Sequence, residues 1–138
     1  MRSNPVRQAA ALPYRPLVDS EELFEVLLVT SSAGRWIIPK GDIDEGLPAP
    51  QAAEQEAFEE GGVRGRIGRR PIGTFQTCKQ QHGAAILAEV DVFPLKVVEE
   101  LERWPEMGVR QRRWLPIGQA AGAVREPELA AIIRAFSD

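Results

Sequence analysis

Cys78 is the only cysteine in the 138 residues, so no intramolecular disulfide can staple the chain and no cage of thiolates can hold a metal. Both absences suit a reducing compartment. Lys79 and His82 nearby would favour a thiolate, yet a lone cysteine after an apolar run reads as a small buried filler. No apolar stretch approaches the roughly 20 residues that span a bilayer, and the early "QAAALPY" is too short and interrupted for a secretory leader. The expectation is a soluble, cytoplasmic protein with no membrane partner. Excess charge of one sign is missing as well, because 17 Lys and Arg face 20 Asp and Glu and leave a net charge of -3. That balance gives no global pull toward a nucleic-acid polymer, so a polyanionic partner must be met by a local cationic patch.

What remains is an ordinary composition, 43% hydrophobic, which supports one domain over residues 1–138 with a real core. "VRQAAALPYR" and "LFEVLLVTS" read as two early strands, and "RWIIP" as a short third. Residues 49–60 change character: alanines at 49, 53 and 57 form a small-residue stripe at helical spacing, Pro50 sits near the start, and Gly61 and Gly62 end the segment. "VRGRIG", "PIGTFQTC", "AAILAEVDVFPL" and "RRWLPI" read as further strands, with the charged "KVVEELERWPE" as a connection. In the tail, Leu129, Ile132, Ile133 and Phe136 share a helical face behind Pro127. Two helices and a majority of strands argue an α/β fold, a mixed sheet covered by helices.

The first helix carries the chemistry. At roughly 100° per residue, Glu56, Glu59 and Glu60 fall within an arc of about 100°, beside the alanine stripe. Like charges at this spacing repel by a few tenths of a kcal/mol per pair on an exposed helix, and by more where the dielectric falls. Glu59 and Glu60 also stand near the C-terminus, where the helix dipole disfavours anions. Two explanations fit: a solvated acidic face, or a site for a hard divalent cation that takes oxygen ligands.

Context separates them. Gly41, five residues, Leu47, seven residues and then "QEAFEEGGV" resembles the Nudix box, G-x5-E-x7-R-E-U-x-E-E-x-G-U, where U is a bulky aliphatic residue. Gly41, Glu56, Glu59, Glu60, Gly62 and Val63 match it in register. Leu47 replaces the first box glutamate, Gln55 replaces the arginine, and Ala57 is smaller than the usual aliphatic residue. Asp42, Asp44 and Glu45 are the nearby acids that could stand in at position 47. "RQAAALPYR", "EVLLVTSSAGRWIIPKG", "GTFQTCKQQHG" and "RQRRWLPI" are similar to the branch that hydrolyses diphosphoinositol and diadenosine polyphosphates.

The resemblance implies an α/β/α sandwich and metal-dependent cleavage of a diphosphate linkage in a small phosphate-rich molecule. It implies Mg2+ or Mn2+ held by Glu56, Glu60 and Glu59, with Glu59 as proton acceptor and the backbone carbonyl near Lys40 and Gly41 as a further ligand. Glu56 or Glu60 could exchange roles with Glu59, and Glu106 is an alternative base from a loop. Cationic contacts to substrate fall to Arg7, Arg35, Lys40, Lys79, His82, Arg110 and Arg112, with Gly41 beside them. Each of these side chains also has a plain role as a solvated surface group, and Trp36 and Trp104 read as packing residues. A phosphate-binding domain without turnover is the alternative, because positions 47 and 55 depart from the box. A homodimer stays open.

Overall fold

The computed structural model describes residues 5–18 and 20–136. Its strands are β1 (Val6–Pro16), β2 (Phe24–Thr30), β3 (Trp36–Ile37), β4 (Lys40–Asp42), β5 (Val63–Ile67), β6 (Gly73–Gln81), β7 (Ala84–Glu100) and β8 (Arg112–Pro116). Its helices are α1 (Ala49–Gly61), α2 (Ile117–Ala123) and α3 (Pro127–Ala135). One mixed sheet runs β3-β2-β1-β7-β5, with β4 on β1, β6 on β7 and β8 on β2. β1 and β7 pair in parallel through nine residues, and every other pairing is antiparallel.

β1 alternates, and the alternation divides the core. Ala9 and Ala11 face α1, where they meet Ala52, Ala53 and Ala57 together with Leu27, Phe93 and Leu95. Ala10, Leu12 and Tyr14 face the other way, onto Leu129, Ile133 and the α2 residues Ala120 and Ala121. Successive strand residues point to opposite faces, so one strand serves both layers. The result is an α/β/α sandwich. Methyl side chains on both β1 and α1 let the helix lie close to the sheet, which fixes the height of its acidic face. Complete burial of Leu129 and Ile133 adds about 1.5–3 kcal/mol each to the docking of α3.

The structure departs from the sequence reading in three places. β7 continues to Glu100 because Leu95, Lys96, Val97, Glu99 and Glu100 pair with β5, so the first five residues of the segment expected as a charged connection are strand. β4 is a short strand on β1 that matches Asp42 to Gln8. α2 has no capping side chain and no charged residue in its end turns, which left no local signal for a third helix. Among the described residues, no helix is long and apolar enough to cross a membrane.

α1 ends at Gly62, which adopts φ 65, a conformation that costs other residues about 1–2 kcal/mol. A Cβ there would stand 2.8 Å from the Trp104 ring and 2.6 Å from an Arg112 nitrogen. Gly62→Ala should therefore lower the free energy of urea unfolding by about 2 kcal/mol or more. A loss below about 0.5 kcal/mol would show that this helix terminus is not under the constraint described.

Candidate active site

The last carbonyls of a helix lack intrahelical partners, and in α1 the segment between β7 and β8, with the first residue of β8, supplies them. The Glu106 N–H donates to the Glu59 carbonyl (3.0 Å) and the Leu101 N–H to that of Gly62 (2.8 Å). The Trp104 Nε1–H donates to the Glu60 carbonyl (3.1 Å) and an Arg112 terminal nitrogen to that of Gly61 (3.1 Å). The Arg112 guanidinium stacks on the Trp104 ring, 3.8 Å from its centroid, and also donates to the Leu101 carbonyl (2.6 Å). Arg112, expected at the substrate, is thus committed to the backbone of the helix end. Its positive charge opposes the negative pole of the helix dipole at that point. Trp104 is the packing residue it was read as, with its N–H engaged.

That clamp holds three carboxylates in one place. Glu60 is 6% exposed; one oxygen accepts the Lys40 N–H (3.1 Å) and the other faces an Arg110 nitrogen (3.1 Å). Burial pushes its pKa up to about 7, Arg110 and the Lys40 N–H work against the rise, and Glu106 adds to it. Glu59 accepts a hydrogen bond from the Gln55 amide (3.0 Å). At the box-arginine position, a neutral side chain therefore orients a glutamate one turn on. Glu56 lies against Gly41, where an added Cβ would displace its carboxylate. Its pKa is also raised to about 7, first by burial and then by Glu60, Glu59 and Glu106. Among the described residues no group hydrogen-bonds the Glu56 carboxylate.

A cleft opens beside these groups. Lys40, Ser31, Ser32 and Ile37 line both a pocket of about 110 Å3 that reaches Glu60 and Arg110 and a larger one of about 230 Å3. The larger pocket adds Arg35, Lys79, Trp36 and Arg125. Three expected cations, Arg35, Lys40 and Lys79, are therefore brought together, and Arg110 stands between the cleft and the carboxylates. Burial lowers the pKa of Lys40 even though Glu60 and Asp42 favour its charged form. Its ammonium donates to the Gln8 side chain (2.8 Å).

Other expectations land elsewhere. Arg7 pairs with Glu89 and Asp91 on the surface, and His82 occupies the exposed β6–β7 turn at φ 52; neither lines the cleft. Asp42 is not free to replace an acid at position 47, since it bonds Lys79 and Gln8. Burial raises its pKa, but these two partners outweigh that and leave it below the ordinary value. Leu47 lines a different groove, with Phe58 and Arg64 on the outer side of α1. Cys78 is exposed on β6 and lines the larger pocket, which corrects its reading as a buried filler. Arg125 was missed, because it lies in the α2–α3 turn and reaches the cleft only through tertiary packing.

The donor set suits a hard divalent cation. Glu56 presents an unbonded, desolvated carboxylate beside two others and Glu106, and one guanidinium cannot balance them all. Glu56, Glu59 and Glu60 are the residues that would hold the ion. Among the described residues, no three acidic, histidine or cysteine side chains are placed so that together they could hold a metal ion, so the glutamates would have to turn toward one another to bind it.

Comparison with known proteins places this geometry. A family profile described as NUDIX domain matches residues 9–136. The chain is 36% identical over 122 residues to Nudix hydrolase 18, mitochondrial, of Arabidopsis thaliana, covering 83% of this chain and 66% of that protein. It is 35% identical over 119 residues to diphosphoinositol polyphosphate phosphohydrolase 2 of Rattus norvegicus, covering 83% and 60% respectively. The chain thus spans about 60 to 66% of the length of these curated relatives. Among solved structures, a Caenorhabditis elegans Ap4A hydrolase binary complex superposes with a TM-score of 0.67 at 22% identity, over 94% of this chain and 93% of that one. A NUDIX hydrolase from Nitrosomonas europaea gives 0.69 at 21% identity, over 95% and 87%.

The raised carboxylates set a pH dependence whose sign can be checked. Below the ordinary value of 4.5 both are protonated whether the chain is folded or not. Between 4.5 and about 7 the folded chain keeps protons that the unfolded chain has lost, so stability falls as pH rises. In chelator, the melting temperature of Glu56→Gln should therefore gain on the wild type between pH 5 and pH 8. Added Mg2+ or Mn2+ should raise the wild-type melting temperature more at pH 8 than at pH 5.5. Parallel pH curves for both proteins, with no cation effect, would contradict the carboxylate environment described.

Proposed function

The chain belongs to the Nudix family, and on that premise we propose that it is a metal-dependent pyrophosphohydrolase. Its substrates are small molecules with a diphosphate linkage in a phosphate-rich chain, with dinucleoside polyphosphates and diphosphoinositol polyphosphates as the first classes to test. One observation carries the proposal. Glu60, whose charge bears on Glu56 together with that of Glu59, lines a pocket that shares Lys40, Ser31, Ser32 and Ile37 with a cleft carrying Arg35 and Arg125, two arginines with no carboxylate partner among the described residues.

The residues divide the work. Glu56 and Glu60 would hold Mg2+ or Mn2+, which when bound would neutralise pyrophosphate oxygens and polarise water. Glu59 would take the proton from the attacking water, with one of its oxygens restrained by the Gln55 amide. Arg35 and Arg125 bind phosphate oxygens through paired N–H donors. Lys40 and Lys79 add point charges from β4 and β6. Gly41 lets Glu56 approach the β4 backbone without obstruction. The names of the Rattus norvegicus and Caenorhabditis elegans relatives support this choice of substrate classes.

The test is product release from a panel of nucleotide, dinucleotide and inositol pyrophosphates, with Mg2+, with Mn2+ and with chelator. Turnover should require the cation, and Glu59→Gln should lower kcat on the order of 100- to 10,000-fold. Binding of these compounds without cation-dependent turnover would favour the binding-only alternative, and neither binding nor turnover would defeat both. For the cleft, Arg125→Ala should raise KM roughly 10-fold with kcat within about twofold. An unchanged KM would remove Arg125 from the substrate site.

A further inference from the structure

We propose that Arg110 is a positioning residue that fixes Glu60 for cation binding, an assignment that rests on the metal-site reading above. The geometry is specific. The three guanidinium nitrogens serve three different groups: Nε donates to the Glu106 carboxylate at 2.7 Å, one terminal nitrogen to the Thr30 carbonyl at 2.7 Å, and the other faces Glu60 at 3.1 Å. Thr30 closes β2, and its segment is stitched to that of Arg110 twice. The Thr30 N–H donates to the Gln111 carbonyl (3.1 Å), and the Gln111 N–H donates to the Thr30 hydroxyl (3.0 Å). The orientation of the guanidinium is thereby set by the sheet backbone as well as by the acids it touches.

Glu60 is then held between two donors that cannot easily move, the Lys40 N–H on one oxygen and Arg110 on the other. Other nearby donors are directed elsewhere. Gln55 reaches Glu59, the Lys40 ammonium reaches Gln8, and Arg112 is bound to carbonyls at the helix end. Among the described residues, no second cationic side chain pairs with Glu60. A phosphate contact is the competing role, and the geometry disfavours it, because two nitrogens of Arg110 donate to Glu106 and Thr30 and the third is ion-paired with Glu60. The arrangement depends on a planar fork. Lysine would keep the charge but deliver its donors from one nitrogen, which cannot span three acceptors in these directions.

Arg110→Lys tests this by retaining the charge and removing only the fork. Mn2+ titration followed by electron paramagnetic resonance, on protein whose fold is checked by circular dichroism, should give a Kd about 10-fold weaker than the wild type. In turnover at saturating Mn2+, kcat should fall while KM stays within about twofold. Mn2+ binding within twofold of the wild type would overturn the proposal, as would a raised KM with kcat unchanged, which marks a phosphate contact. Should Arg110→Lys fail to fold, Arg110→Ala carries the same test. Added methylguanidinium should restore its Mn2+ affinity, and no restoration would overturn the proposal. A wild-type protein that binds no Mn2+ defeats the metal-site reading itself, whereas wild-type binding matched by Arg110→Lys defeats only the role of Arg110.

Discussion

The capping of α1 is the constraint on which the site depends. A helix that ends in buried acidic residues concentrates two unfavourable terms at one place, mutual repulsion of carboxylates and the negative pole of the backbone dipole. Here the carbonyls of Glu59, Glu60, Gly61 and Gly62 all receive hydrogen bonds from the stretch between Leu101 and Arg112, which joins β7 to β8 and opens β8. That segment also delivers the opposing charges of Arg110 and Arg112. The same few residues therefore terminate the helix, offset its dipole and supply Glu106 to the acidic cluster. Tertiary packing, rather than helix propensity, keeps the glutamates together.

The two departures from the Nudix box act differently in three dimensions. Gln55 still reaches one turn along the helix to Glu59, so hydrogen bonding continues there without a charge. The cation within reach of the box carboxylates comes instead from Arg110, far along the chain. Leu47 turns to the outer groove beside Phe58, and Asp42 is neutralised by Lys79. The cluster consequently draws its acids from α1 and, through Glu106, from the β7–β8 segment. Geometry has moved from a short local motif to contacts between distant elements.

This distribution explains what could be read from the residues alone. The apolar runs, the alanine stripe and the glycines after Glu60 are local signals, and they were sufficient for a mixed sheet covered by helices and for setting the three glutamates on one helix, whereas the α/β/α sandwich was legible through resemblance. Lys40 and Lys79 were legible through resemblance, since both lie in segments similar to a known branch. Arg112 and Arg7 could not be sorted from the cleft residues, because an arginine that caps a helix or pairs with Glu89 has the same letter as one that waits for phosphate. Arg125 and Cys78 reach the cleft through the packing of α3 on β6 and the facing of one strand. α2 carried no cap or charge pattern, and its packing on α3 and on the sheet accounts for it.

The central claim is that a clamped helix end holds a divalent cation among Glu56, Glu59 and Glu60. The most direct measurement is anomalous diffraction from crystals of the protein soaked in Mn2+. The account predicts a strong peak within coordination distance of Glu56 and at least one of the other two carboxylates. It is contradicted by a map with no peak there, in which Glu60 remains paired with Arg110 and Glu56 faces only water.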